Sequence, residues 1–287
     1  MPLPVFPVVG YSIPTVLHGL GIVLLYKTKG DLPNQRVITL NLAVAEFLYC
    51  VSRIIIYTVT PAVLLTKSTN AALHCLSGIF LCVIRFAILH VIIDRFLDIW
   101  LNLRYPIYIH KSTLIKCIIL QWILGLFVAA AFVSFELLKV ISRKGVQFLR
   151  LSIDMIIIIA AVSTFIYLFF RVKHVVRGQA SQNQGQIRAA RVWFKLKIPL
   201  FMVGTFIAFN ISSSILWLFW YKPGQAKYYS YALALDLFGW CSDAFIYVFL
   251  QRRVRRLLVS CCRRTRKNQN GGNRINQLSQ PTIISQV

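Results

Sequence analysis

The sequence predicts an all-α fold, a bundle of seven membrane-spanning helices followed by a short amphipathic eighth helix. Three observations predict it. Of the 287 residues, 57% are hydrophobic and only 14% charged, a balance too apolar for an ordinary water-soluble domain. The apolar residues gather into seven runs of about 20 residues or more, the length a helix needs to cross a bilayer whose hydrocarbon offers backbone N–H and C=O groups no partner. Lys and Arg fall mainly in alternate connecting segments, as they do when one side of a membrane collects the basic charge.

In chain order the runs cover 5–26, 36–59, 70–93, 112–135, 151–172, 198–220 and 228–250. Helix 1 runs into Lys27 and Lys29, helix 2 begins at Arg36, and helix 3 stops at Asp94-Arg95. Lys111 and Lys116 flank the start of helix 4, Arg150 and Arg171 bracket helix 5, Lys195 and Lys197 precede helix 6, and helix 7 gives way to Arg252 and Arg253. With the N-terminus outside, the outer loops hold only Lys67, Lys139, Arg143, Lys144, Arg150, Lys222 and Lys227. The remaining basic residues crowd the inner side, which predicts a multi-pass plasma-membrane protein with its C-terminus in the cytoplasm. The net charge of +24 is then accounted for by helix ends that meet anionic lipid headgroups. Nucleic acid is not an expected partner.

Met1 to Pro7 lacks the basic start of a cleavable leader, so only a few residues are expected outside helix 1, with no room there for a hormone-binding domain. The Asn-x-Ser match at Asn210-Ile211-Ser212 falls inside helix 6, out of reach of glycosylation. Cys50, Cys82, Cys117 and Cys241 lie within helices, and Cys261 and Cys262 lie in the reducing cytoplasm. His90 and Asp94 share a helical face, but two ligands do not make a metal site. The chain has no Gly-rich phosphate loop, no His-Glu-x-x-His and no Gly-x-Ser-x-Gly turn. No enzymatic activity, cofactor or metal is expected.

Helix 2 carries Leu40-Asn41-Leu42-Ala43-Val44-Ala45-Glu46, and helix 3 closes on Asp94-Arg95-Phe96. Trp122 follows Arg95 by 27 residues, and helix 7 closes on Asp243-Ala244-Phe245-Ile246-Tyr247, ahead of a basic segment that ends in Cys261-Cys262. This set resembles the rhodopsin-like (class A) family of G-protein-coupled receptors. There helix 2 reads Leu-Asn-Leu-Ala-x-Ala-Asp, helix 3 ends in Asp/Glu-Arg-Tyr and helix 7 in Asn/Asp-Pro-x-x-Tyr. The resemblance implies an unknown extracellular ligand that biases a rearrangement of helices 3, 6 and 7, read by a heterotrimeric G protein, with arrestin as a further partner.

Carried over residue by residue, the resemblance assigns Asp94, Arg95, Phe96, Tyr167, Asp243 and Tyr247 to the activation switch. Arg95 is expected to pair with Asp94 at rest. The family often adds a second lock to an acid of helix 6, but the corresponding region, 187–192, has no acid, so the resting state is expected to be weakly held. The usual prolines of helices 5, 6 and 7 are Ile159, Ser212 and Ala244, and the helix 6 toggle Trp is Asn210. Three lost kink sites predict straighter helices. Cys75 lies deeper than the usual disulfide cysteine, and the loop from Phe135 to Arg150 has none, so the family's outer disulfide is expected to be absent.

Intramembrane charge needs a partner. Glu46 takes the place of the buried helix 2 acid, and His18 stands at the position of its polar neighbour on helix 1. Ile84 and Gly239 replace two polar residues of the family's sodium pocket. Within the network His18, Glu46, Arg85 and Asp243, the sequence offers Arg85 or protonated His18 as the cation that faces Glu46. A protonated Glu46 and an Arg85–Asp154 pair across helices 3 and 5 are the alternatives.

Ser77 stands where amine receptors place their Asp, and Leu237, beside Asp236, stands where opsins place their Schiff-base Lys. Neither amine nor retinal is favoured. Ser77, Asp154, Asn210, Trp217, Asp236 and Trp240 form the candidate ligand pocket, with helix packing and interfacial anchoring as the plainer reading of the aromatic residues. The basic outer loops leave an acidic or lipid ligand as an alternative. A small multispanning transporter is the alternative function, since its mid-membrane charges are present.

The receptor domain with helix 8 is expected over 1–262, where Arg255-Arg256-Leu257-Leu258 resembles a lipid-surface helix and Cys261 and Cys262 its palmitoylated end. The tail, 263–287, is expected to be disordered. Its end, with Ser285 and Val287, resembles a PDZ-domain ligand.

Overall fold

The computed structural model describes residues 5–27, 33–62, 67–101, 104–138, 142–178, 200–220, 227–246 and 259. Among the described residues the regular structure is helical throughout, with no strand. The helices are α1 (Val5–Lys27), α2 (Pro33–Ala62), α3 (Lys67–Leu101), α4 (Lys111–Leu137), α5 (Arg143–Gly178), α6 (Leu200–Phe219) and α7 (Lys227–Phe245), with a single turn at Tyr105–Tyr108. The first six are long and apolar enough to cross a membrane. The seventh is a helix of 19 residues with Asp236 and Asp243 on it.

Among the described residues each predicted apolar run falls on one helix, but two helices outlast their runs. α3 continues past Asp94 to Leu101, and α5 starts at Arg143 and continues to Gly178. Charge marked the predicted ends. A helix satisfies its own backbone whether or not its side chains are apolar, so leaving the hydrocarbon does not stop it.

α1 packs on α2, α2 on α3, α3 on α4 and α5, α5 on α6, α6 on α7, and α7 returns to α1. In the most apolar stretch of α3, 61% of the residues are buried, against 22% in α4 and in α5, which makes α3 the central helix. The outward faces are apolar too: Phe6, Val9, Ile13, Val16 and Leu20 are all exposed along α1. A continuous apolar face at helical spacing is what a lipid-facing helix presents.

The core joins Leu42, Ala43, Ala45 and Cys50 of α2 to Val83, Ile84 and Ala87 of α3. Small residues let the helices approach closely. A Cβ placed on Gly125 of α4 would lie 2.6 Å from Val83 Cγ2 and 3.4 Å from the α3 backbone. α6 is not a regular helix despite its missing proline. A π-helical turn runs from Phe206 to Ile211, and such turns are an established cause of helix irregularity and kinking. Tyr247, helix 8 with Cys261 and Cys262, and the tail with Ser285 and Val287 lie outside the described residues.

Candidate functional site

Four polar clusters, three of them largely buried and the fourth partly so, lie along the bundle. The first closes the C-terminal end of α3. Arg95, only 4% exposed, pairs through Nη2 with Asp94 and through Nη1 with Asp98 Oδ2 at 3.4 Å. Asp94 also accepts a hydrogen bond from the Tyr105 hydroxyl in the turn that follows α3. Burial, and then the bond to Asp94, push the Tyr105 phenol well above its ordinary range, so it stays a protonated donor. Asn34, in the first turn of α2, donates to the Ile109 carbonyl at 3.0 Å and holds this segment in place. The Phe96 and Tyr167 rings meet at 5.6 Å, bringing α3 and α5 together one residue beyond Arg95.

The second cluster ties α2, α3 and α4. Trp122 Nε1 donates to Asn41 Oδ1 at 2.9 Å, and Asn41 Nδ2 donates to Gln121 Oε1 at 3.2 Å. The Gln121 amide nitrogen lies 2.6 Å from His90 Nδ1 and donates to the Phe86 carbonyl at 3.4 Å. His90 is therefore part of a side-chain network, which accounts for its place on the same face as Asp94.

The third cluster sits at mid-bundle. His18 Nδ1 of α1 lies 3.3 Å from Glu46 Oε2 of α2, both side chains fully buried, with the Trp240 backbone beside the imidazole. The expected network of His18, Glu46, Arg85 and Asp243 divides. Arg85 turns to α5 and grips Asp154 with Nε and with Nη2, the latter at 2.9 Å. This is the alternative pairing weighed in the sequence, and it wins because a bidentate guanidinium–carboxylate contact satisfies two desolvated ions at once. Asp243 Oδ1 accepts from Thr205 Oγ1 at 2.8 Å, linking α7 to α6 just before the π turn.

The fourth cluster is aromatic and cationic. Arg53 Nη2 donates to the Tyr57 hydroxyl at 2.7 Å, and its guanidinium lies 4.9 Å from the Tyr57 ring centre and 5.7 Å from that of Tyr11. Tyr11 meets Tyr57 and Tyr49, and Tyr49 meets Trp240 at 4.8 Å. On the other flank the Tyr229 and Tyr57 hydroxyls are 3.3 Å apart, Tyr229 meets Trp217, and Trp217 Nε1 donates to Asp236 Oδ2 at 3.3 Å.

Of the predicted pocket residues, Trp217, Asp236 and Trp240 therefore border one cluster. Asp154 is committed to Arg85, Ser77 is buried elsewhere on α3, and Asn210 lies on the π turn facing Gly239. The sequence reading did not assign Asp98, Tyr105, Gln121, Thr205 or the tyrosines around Arg53. One signal was available: Tyr49, Arg53 and Tyr57 recur every fourth residue and so share one helix face.

Compared with known proteins, the chain matches no protein-family model and no curated protein sequence.

Proposed function

We propose that the chain is a receptor of the plasma membrane, with α7 as its seventh span, its N-terminus outside, and a heterotrimeric G protein as its cytoplasmic partner. The observation that carries the reading is Arg95, a buried cation held by Asp94 and Asp98 at the end of the central helix. A guanidinium parked there by carboxylates is a stored contact. It becomes available to a partner once the helices around it rearrange.

The ring order of the helices supports the same reading, as does the meeting of Asn41 and Trp122, two residues that carry the family resemblance independently. The π turn of α6 and the Thr205–Asp243 bond place an irregular segment and a breakable polar link where α6 and α7 adjoin. A ligand acts on such a fold by binding one helix arrangement more tightly than the other.

The test is ligand-free G-protein activation at matched surface expression, wild type against Arg95→Ala, across several G-protein classes. A basal signal in the wild type that disappears in the variant is the expected result. Equal signals in both would overturn the role given to Arg95, and substrate flux independent of G protein would establish a transporter instead.

A further inference from the structure

The π turn of α6 holds one residue more than a continuous α-helix would place there. In an α-helix the residue that follows Phe206 on the same face is Asn210, four positions on. Here it is Ile211, five positions on. Phe206 is 4% and Ile211 8% exposed, and both join the main core, whereas Asn210 is only partly buried and lies beside Gly239. The wide turn takes an amide off the packed face and puts an isoleucine on it.

Both sides of the turn are tied to α7. Before it, Thr205 Oγ1 donates to Asp243 Oδ1 at 2.8 Å. After it, Ser213 Oγ donates to the Ala232 carbonyl at 3.1 Å, and Trp217 Nε1 donates to Asp236 Oδ2 at 3.3 Å. Between these ties the turn rests on bare backbone of α7: a Cβ added to Gly239 would lie 3.1 Å from Phe209 Cβ and 3.5 Å from Asn210 Nδ2. A side chain at that position would wedge the turn in place.

A turn of this kind has a second register open to it. If its backbone bonds close up to the α pattern, the two halves of α6 move against each other by one residue's step, about 1.5 Å along the axis and about 100° around it. The step makes the helix regular, but it swings Asn210 onto the packed face and breaks ties to α7. Gain and loss oppose each other, which is what a two-state element requires. Which half moves depends on which is held. A ligand that grips Trp217 and Asp236 holds 212–219 still and hands the step to 200–205, so that Thr205 leaves Asp243.

We infer that the π turn of α6 is a register switch: the helix exchanges between a wide-turn register and an all-α register one residue apart, and the exchange couples segment 212–219 to segment 200–205. The inference rests on the receptor reading only for its consequence, since that reading puts the first segment on the ligand side and the second on the G-protein side. The exchange itself follows from the turn and its ties.

The experiment uses the full-length chain in detergent, with nitroxides carried on p-acetylphenylalanine so that the native cysteines stay in place. Exposed Ile215, beyond the turn, and exposed Phe201, before it, are each paired with exposed Val9 of α1 and with exposed Leu76 of α3, and the distances are read by pulsed electron resonance. Wild type is expected to give two populations at Ile215, at Phe201 or at both, separated by about 5 Å or more. Asn210→Leu raises the all-α population at least about fivefold, because the amide no longer opposes burial on the packed face. Deleting Ala208 takes away the excess residue and leaves one population. A single, unchanged distance in wild type and in Asn210→Leu overturns the proposal, and so does a deletion that keeps both populations; if the deletion does not fold, Asn210→Leu decides alone. In cells the deletion is expected to abolish ligand-free G-protein activation at matched surface expression. Register exchange in a chain that activates no G protein strikes the receptor reading alone, and Arg95-dependent signalling from a chain with one register strikes this proposal alone.

Discussion

Trp122 on α4 and Asn41 on α2 are joined by an indole N–H···O bond of 2.9 Å, although 81 residues separate them in the chain. Asn41 spends its other end on Gln121, so one buried amide sets the relative depth of two helices that each have many equivalent apolar registers. Trp122→Phe keeps the ring and deletes the donor. It is expected to destabilise the protein by about 1–3 kcal/mol, the cost of an unmet buried acceptor, seen as a lower melting temperature in detergent. Asn41→Leu together with Trp122→Phe, which removes both polar ends, is expected to recover much of the loss.

This contact also shows what was legible in the sequence. Apolar run length finds the helices because the bilayer imposes one length on each span, and motif spacing finds Asn41, Trp122, Asp94 and Arg95 because their separation along the chain is fixed. Partner choice was not legible. The sequence leaves Arg85 either Glu46 or Asp154 as its partner, and only the packing of α3 against α5 selects Asp154. Asp98 and Tyr105 escaped notice for another reason: both lie past the apolar run, where the sequence stops looking like a helix although α3 continues to Leu101.

The Arg85–Asp154 pair gives a second prediction. Both ions are buried, so removing one leaves the other without its counter-charge. Arg85→Met and Asp154→Leu are each expected to cost about 3–5 kcal/mol, and the double substitution far less, because two apolar side chains need no desolvation. A double-mutant cycle on detergent melting temperatures checks this. Additive losses would show that the two side chains act separately.

Close packing of α3 and α4 turns on Gly125. An added Cβ lies 2.6 Å from Val83 Cγ2 and 3.4 Å from backbone atoms of α3, so either the valine or the helix must shift. Gly125→Ala is expected to cost about 1–3 kcal/mol, as overpacking does. Removing the obstructing methyls with Val83→Ala in the same chain is expected to return part of that stability, again read from melting.

Tyr105 predicts a pH dependence at the alkaline end. Its folded-state phenol is raised above the unfolded value of about 10, first by burial and then by its bond to Asp94. A raised value means that the folded state holds the proton more tightly. The stabilisation is complete below the unfolded value and is lost as pH rises through the folded one. The difference in melting temperature between wild type and Tyr105→Phe is therefore expected to be constant from pH 7 to about 9 and to shrink above about 10. A difference that grows with alkalinity would contradict the assignment of Tyr105 as donor.

Asp98 makes the resting state of the proposed switch tighter than its missing helix 6 acid suggests. It stands one turn beyond Arg95 on the same helix and holds Nη1 at 3.4 Å while Asp94 holds Nη2. Because this second acid moves with α3, it does not tie α3 to α6. It lowers the energy of a retracted guanidinium without bracing the helices against each other. Each carboxylate then tilts the same two-state equilibrium, and neutralising either one favours the released state. Asp94→Asn is expected to raise ligand-free G-protein activation the most, Asp98→Asn by less and up to about tenfold, in line with the loss of one longer charged contact. Arg95→Ala is expected to abolish the signal in every background, since nothing is left to release. Basal nucleotide exchange at matched surface expression measures all of these. If Asp98→Asn leaves the basal rate unchanged while Asp94→Asn raises it, Asp98 is only a helix-end ion pair, and Arg95 is restrained by Asp94 alone.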